Sequence, residues 1–140
     1  MSKYRVTKRY EFDAAHRLCD YDGPCGRVHG HRYALEVTLE GKKLDEMGIL
    51  FDFSQINSLI KPLLEEWDHH LLLWRDDPLC KNKEMSAVVL SSRPTAEVMA
   101  CLAWEIVVRS MDAQRIENVW IVNIRVYETP NCWVDYSDAC

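Results

Sequence analysis

The sequence predicts an α+β fold, an antiparallel four-stranded sheet with two helices on one face, in the order strand, strand, helix, helix, strand, strand. Three observations predict it. Two N-terminal segments alternate apolar and polar residues with the period of two that puts successive side chains on opposite faces of a strand. Two central segments repeat apolar residues at helical spacing, each behind a recognisable start signal. Two C-terminal segments return to alternation. Helices gathered on one side of an antiparallel sheet are one of the few layered arrangements that bury both apolar surfaces.

The first strand runs from Tyr4 to Phe12, with Tyr4, Val6, Tyr10 and Phe12 on one face and Arg5, Thr7, Arg9 and Glu11 on the other. A loop carrying Cys19, Asp22-Gly23-Pro24 and Cys25 follows. From His31 to Glu40 alternation resumes: Tyr33, Leu35, Val37 and Leu39 face inward, Arg32, Glu36, Thr38 and Glu40 outward. Gly41-Lys42-Lys43 turns the chain, and Gly48 to Phe53 reads as a short extended segment. Ser54 is the expected N-cap of a helix carrying Ile56, Leu59, Ile60, Leu63, Leu64 and Trp67. Pro62 inside it predicts a kink or an early break. Pro94-Thr95 opens a second helix, with Glu97 near its positive end and Val98, Met99, Leu102, Ala103, Ile106 and Val107 as its apolar face. A long strand from Val119 to Glu128 turns its even positions Trp120, Val122, Ile124 and Val126 inward, and Trp133 to Tyr136 forms a short last strand. Between the helices, Val88-Val89-Leu90 is either a further short strand or part of a loop.

The other sheet face carries Arg5, Thr7, Arg9, Arg32, Glu36, Asn123 and Arg125. It is either a solvated surface or the polar lining of an oligomeric barrel, since closure is what removes exposed strand edges.

Composition narrows the function. At 140 residues, 48% hydrophobic and 28% charged, the chain fits one domain, residues 1–140, with an ordinary core. The net charge of −5 and the lack of a basic tract argue against nucleic acid as a partner. No run approaches the ~20 apolar residues of a membrane span. Met1-Ser2-Lys3-Tyr4-Arg5 lacks the apolar core of a secretory leader, so a cytoplasmic location with reduced thiols is expected for the six cysteines.

The most specific pattern is Cys25-Gly26-Arg27-Val28-His29-Gly30-His31 with His16 upstream. Histidines two apart in an extended segment point to one face, and His29 and His31 share parity with the inward set. Gly30 removes a side chain where the backbone would pass close to a metal. With His16 from a neighbouring segment, three neutral nitrogens suit Zn2+ and leave its fourth position open, as in catalytic sites. A closed structural site with Cys25 as fourth ligand is the alternative. Cys25 is the candidate base or nucleophile, since a nearby cation or metal favours its thiolate; Cys19 lacks the register to the histidine pair.

Phe12-Asp13-Ala14-Ala15-His16-Arg17-Leu18, the Cys25 to His31 segment, Asp52-Phe53, Asp68-His69, Pro94-Thr95-Ala96-Glu97 and Glu128-Thr129 occur in that order. With them the chain resembles the 6-pyruvoyltetrahydropterin synthase superfamily over nearly its whole length. The three residues between Cys25 and His29 resemble its bacterial 6-carboxytetrahydropterin synthase branch. The resemblance implies a tunnelling fold assembled as a barrel, commonly a homohexamer. It implies Zn2+ on His16, His29 and His31, and proton handling by Cys25 and His69 with Asp68 orienting the imidazole. It also implies that Glu128 anchors a pterin ring, whose 2-amino group and N3–H match the fork of a carboxylate. The implied reaction converts 7,8-dihydroneopterin triphosphate to 6-carboxy-5,6,7,8-tetrahydropterin, acetaldehyde and triphosphate, upstream of queuosine-type 7-deazaguanines. Elimination of triphosphate to 6-pyruvoyltetrahydropterin, and a non-catalytic pterin- or metal-binding module, remain as alternatives. Leu73 and Val98 stand where relatives often carry asparagine, and residues 74–93 form a longer segment than in compact relatives.

Overall fold

Alternation in the first strand does not stop at Phe12. Asp13, Ala14, Ala15 and His16 find partners in Arg32, His31, Gly30 and His29, so β1 runs Tyr4–His16 against an antiparallel β2, His29–Gly41. The computed structural model describes residues 2–138. After β2 come α1 (Phe53–Trp67), β3 (His70–Trp74), β4 (Ala87–Leu90), α2 (Ala96–Ala113), β5 (Trp120–Thr129) and β6 (Cys132–Tyr136). Among these residues no helix is long and apolar enough to cross a membrane.

The expected antiparallel set is present as β1-β2-β5-β6, but the sheet has six strands rather than four, in the order β4-β3-β1-β2-β5-β6. The two additions pair in parallel, β3 with the last residues of β1 and β4 with β3. Val88-Val89-Leu90 is therefore a strand. His70–Trp74, to which the sequence pattern assigns no element, is also a strand, because so short a run carries no usable period.

Both helices lie on the sheet face made by Phe12, Tyr33, Leu35, Val37, Leu39, Ile124 and Val126. From α1 come Ile56, Leu59, Ile60, Leu63 and Trp67, and from α2 Met99, Ala100, Ala103 and Val107. Phe12 stacks on Tyr33 at 5.2 Å and meets Trp67 at 6.2 Å. Trp104 and Met111 are also buried on α2, whereas Val98, Leu102 and Ile106 of the expected stripe are only half-buried.

Four local expectations are corrected. The cap of α1 is Asp52, whose carboxylate accepts from the Ser54 amide and hydroxyl at 2.8 Å, a stronger acceptor than the serine itself. Residues 48–53 are not extended, because the Asp45 carboxylate accepts from the Met47 and Ile49 amides and closes a turn. Pro62 does not end α1, which runs on to Trp67: it lies on the exposed face, where the carbonyl it frees is open to solvent. In β5 a bulge opposite Thr38/Leu39 inserts Val122, so Ile121 packs toward the core while Val122 joins the polar face and Trp120 is exposed. That polar face is knitted by cross-strand pairs, among them Thr7–Thr38 at 2.8 Å and a two-pronged Arg125–Asp135 contact at 2.7 and 2.9 Å.

Candidate metal centre and flanking cavities

The β1–β2 register does most of the work. His16 is the direct cross-strand partner of His29, and His31 lies two residues further along the same face of β2. Opposed and diagonal positions on one face bring side chains within reach of one another. Accordingly the three rings sit with centroids 4.6 to 5.2 Å apart. One nitrogen of each lies within 4.8 Å of the others.

Hydrogen bonds set the tautomers. His16 donates from Nδ1 to the Pro94 carbonyl at 2.6 Å, and His29 from Nδ1 to the Arg27 carbonyl at 2.7 Å. A carbonyl can only accept, so with one proton on each ring, at Nδ1, both turn a bare Nε2 toward the other, at 3.1 Å. Two lone pairs at that distance repel unless a cation lies between them. Zinc–nitrogen bonds of about 2.0–2.1 Å at tetrahedral angles give a separation of about 3.3 Å. Among the described residues only two buried side-chain polar atoms lack a hydrogen-bond partner, His31 Nε2 and the Tyr33 hydroxyl, and the Tyr33 ring packs on both His16 and His31. Unsatisfied buried groups are rare enough to require an explanation. A divalent ion supplies one for His31: the donor set fits the metal.

Burial holds the His16 and His31 imidazoles below the ordinary histidine value, with the His29 ring acting in the same direction and Pro94 and Glu128 respectively against it. Both are therefore neutral, and ready to ligate, at neutral pH. The linkage follows. A histidine whose folded pKa is depressed takes up a proton on unfolding, so the stability it confers is present above pH 6.5 and is lost as pH falls toward the folded value. In metal-free protein the urea midpoint is expected to drop between pH 7.5 and 5.5, and a His16→Gln/His31→Gln variant should flatten that slope. The carboxylates of Asp68, Asp77 and Asp135, all held below the usual range, act only at more acidic pH.

Cys25 sits, exposed, on a 3-10 turn spanning Pro24–Gly26. The turn is fixed by Leu18 N–H donating to the Cys25 carbonyl at 2.8 Å, and by Gly26, where a Cβ would stand 2.3 Å from the Tyr21 carbonyl oxygen. Cys25 and Glu128 line one cavity of about 340 Å³, together with Thr95, Glu97, Cys132 and Trp133. A Glu128 oxygen lies 4.0 Å from His31 Nε2, too far for a hydrogen bond, so the carboxylate is available to a ligand. Cys19 is buried and its thiol is pushed up by that burial, which separates it from Cys25 as a candidate base.

Asp68 caps the end of α1 and His69 follows at φ 63°. This left-handed residue turns the chain into β3, with its amide donating to the Asp13 carbonyl at 2.6 Å. Asp68 Oδ1 accepts from the Asp13 amide at 3.0 Å and lies 2.9 Å from His69 Nδ1. The Asp13 amide first, and His69 next among the favourable contacts, keep this carboxyl well below the usual range, so it stays ionised. His70 is occupied with the Asp68 carbonyl at 2.9 Å. His69 opens into a second cavity, of about 590 Å³, shared with His31, Gly30 and Met85. Within one chain Cys25 and His69 therefore line different cavities.

Gly30 does not clear space for a metal. It pairs with Ala15 on the opposite face, and an added Cβ would meet only the Ala14 carbonyl at 3.4 Å. Its missing side chain opens the floor of the second cavity instead. Glu97, read from sequence only as a helix-end charge, lines the Cys25 cavity; its place after Pro94-Thr95 was the available signal. Glu84, Met85 and Ser86 wall the His69 cavity and had no sequence signal.

Comparison with known proteins bears on this arrangement. The family model described as 6-pyruvoyl tetrahydropterin synthase matches residues 5–139. The chain is 38% identical over 138 residues to the 6-carboxy-5,6,7,8-tetrahydropterin synthase of Rickettsia bellii, spanning 94% of this chain and 98% of that protein. To the enzyme of that name from Rickettsia conorii it is 36% identical over 143 residues, with the same coverage. The solved structure of an uncharacterized protein from Wolinella succinogenes superposes with a TM-score of 0.84 at 21% identity, over 99% of this chain and 100% of that one, a likeness of fold.

Proposed function

Because the chain belongs to the 6-pyruvoyl tetrahydropterin synthase family, we propose that it is a zinc-dependent 6-carboxy-5,6,7,8-tetrahydropterin synthase. The substrates are 7,8-dihydroneopterin triphosphate and one water, and the products are 6-carboxy-5,6,7,8-tetrahydropterin, acetaldehyde and triphosphate. The observation that carries this reading is the convergence of one nitrogen from each of three imidazoles, with Glu128 of the Cys25 cavity 4.0 Å from His31 Nε2. The identity to relatives of that name across nearly the whole chain supports it.

His16, His29 and His31 would hold the ion, whose chemistry when bound is to bind side-chain oxygens and spread the negative charge left by removal of a carbon-bound proton. The chain's own groups do the rest. Glu128 receives the paired N–H donors of the pterin and fixes the ring's orientation. Cys25 takes or returns a proton from the side of the first cavity. His69, held by the ionised Asp68 at Nδ1, presents Nε2 as the second proton-transfer group.

Those two groups face different cavities of one chain, which supports a homo-oligomer, a hexamer in this reading, whose assembly juxtaposes them. The paired polar face then lines the barrel. A cytoplasmic, one-domain enzyme supplying 7-deazaguanine synthesis completes the proposal.

The family description also names 6-pyruvoyl tetrahydropterin, the product of triphosphate elimination without side-chain cleavage. Incubating zinc-loaded protein with 7,8-dihydroneopterin triphosphate and weighing the products by mass spectrometry tests both. Acetaldehyde with 6-carboxy-5,6,7,8-tetrahydropterin is the expected result, the pyruvoyl compound replaces the proposal by its sister reaction, and no turnover leaves only a binding module.

A further inference from the structure

The hydrogen bond from His16 Nδ1 to the Pro94 carbonyl orients a candidate metal ligand, and Pro94 has no N–H with which to anchor itself. Its neighbour does the anchoring. The Arg93 guanidinium stacks 4.0 Å over the Trp74 ring. Its Nε donates to the Cys19 carbonyl at 3.2 Å, and one terminal nitrogen lies 3.7 Å from Asp20. The Arg93 carbonyl in turn accepts from the Thr95 amide at 2.8 Å, at the cap of α2. So residue 16 reaches to 94 while 93 reaches back to 19, and the two segments are cross-tied.

A second tie stands at the other end of residues 75–93. Arg17, next to His16, pairs through Nε at 2.7 Å and through a terminal nitrogen with Asp77, which is almost fully buried. Asp77 also accepts from the Leu79 amide at 2.8 Å. The neck between is closed by Arg75 N–H donating to the Leu90 carbonyl at 2.8 Å and by the β3–β4 pairing. Each tie thus lands one residue from a partner of the His16–Pro94 bond.

We propose that residues 75–93 buttress the metal centre, and that Arg93 is a positioning residue that sets the angle of His16 through the Pro94 carbonyl. The inference rests on the reading that the three histidines hold a divalent ion. Arginine suits the task because one planar group stacks on an indole and donates in its own plane, which an ammonium cannot do. Groups that orient metal ligands from outside typically change metal affinity 10–100-fold. Arg93 acts one step further out, so about tenfold is expected.

The test uses the full chain and needs no turnover. Zinc affinity is measured by competition with a chromophoric chelator, the cobalt-substituted protein is followed by its visible absorption, and the urea midpoint of metal-free protein is recorded alongside. Arg93→Ala should weaken zinc binding about tenfold and shift the cobalt bands, with little change in the metal-free midpoint. Trp74→Phe, which keeps a ring to stack on, should stay near the parent, and Arg93→Lys, which keeps a donor but loses the stack, should fall between. Zinc affinity within twofold of the parent and an unchanged cobalt spectrum in Arg93→Ala would overturn the proposal. So would a loss of affinity that merely follows a lowered metal-free midpoint. A parent protein that takes up neither ion overturns the metal reading itself, a different failure.

Discussion

Cys25→Ala is expected to lower kcat by at least about 10²- to 10⁴-fold, the range a positioned proton-transfer group supplies, while one zinc per chain stays bound. The two halves of this result have separate causes. The three imidazole nitrogens converge without help from sulfur, since their Nδ1 atoms are held by the Pro94 and Arg27 carbonyls or lie on strands fixed by the β1–β2 register. Removing the exposed thiol takes nothing from that scaffold. The turn also survives, because the Leu18 amide bonds to the backbone carbonyl of residue 25, which alanine retains. Elemental analysis together with steady-state kinetics checks both halves. Loss of zinc with the thiol would mean that sulfur is the fourth ligand of a closed structural centre, and the proposed chemistry would fail with it.

The convergence of the three histidines was legible in the sequence because it depends on parity and one register. His16 extends the even set of Phe12 and Ala14, His29 and His31 extend the odd set of Tyr33 and Leu35, and antiparallel pairing places both sets on one face. What stayed hidden depends on contacts distant in sequence. The bulge at Val122 reverses the parity of β5 toward its start, and no local pattern announces it; the inward reading held for Ile124 and Val126 and failed for Trp120 and Val122. β3 exists because His69 turns the chain beside β1, and its pairing from Ala14↔His70 onward is a tertiary event. The walls contributed by Glu84, Met85 and Ser86 belong to residues 75–93, whose path is set by the Arg17–Asp77 and Arg93–Trp74 ties. Gly30 shows the opposite failure. Its sequence position between two ligands suggested a role at the metal, but strand alternation sends it to the far face.

His69→Gly is expected to move activity and stability in opposite directions. His69 holds a φ of 63°, a left-handed conformation that costs a side-chain-bearing residue about 1–3 kcal/mol and glycine nearly nothing. Against that gain stand the greater unfolded-state freedom of glycine, about 0.5–1 kcal/mol, and loss of the contact to Asp68. That contact is weak as a stabiliser, since the imidazole is 76% exposed and solvent screens it. The Asp68 carboxylate keeps its other partner, the Asp13 amide, so no buried charge is stranded. Urea unfolding should therefore show the variant equal to the parent or more stable, by up to about 1 kcal/mol. The turnover of the variant tells whether the imidazole at this position serves the chemistry. If His69 moves a proton, kcat falls about 10²- to 10⁴-fold, with zinc content unchanged. A variant that keeps parental kcat would remove His69 from the mechanism, and one that unfolds more readily would mean that the Asp68–His69 contact, not the turn, governs this corner. Backbone strain persists where the surrounding structure enforces it, and the 2.6 Å bond from the His69 amide to the Asp13 carbonyl is the constraint that does so.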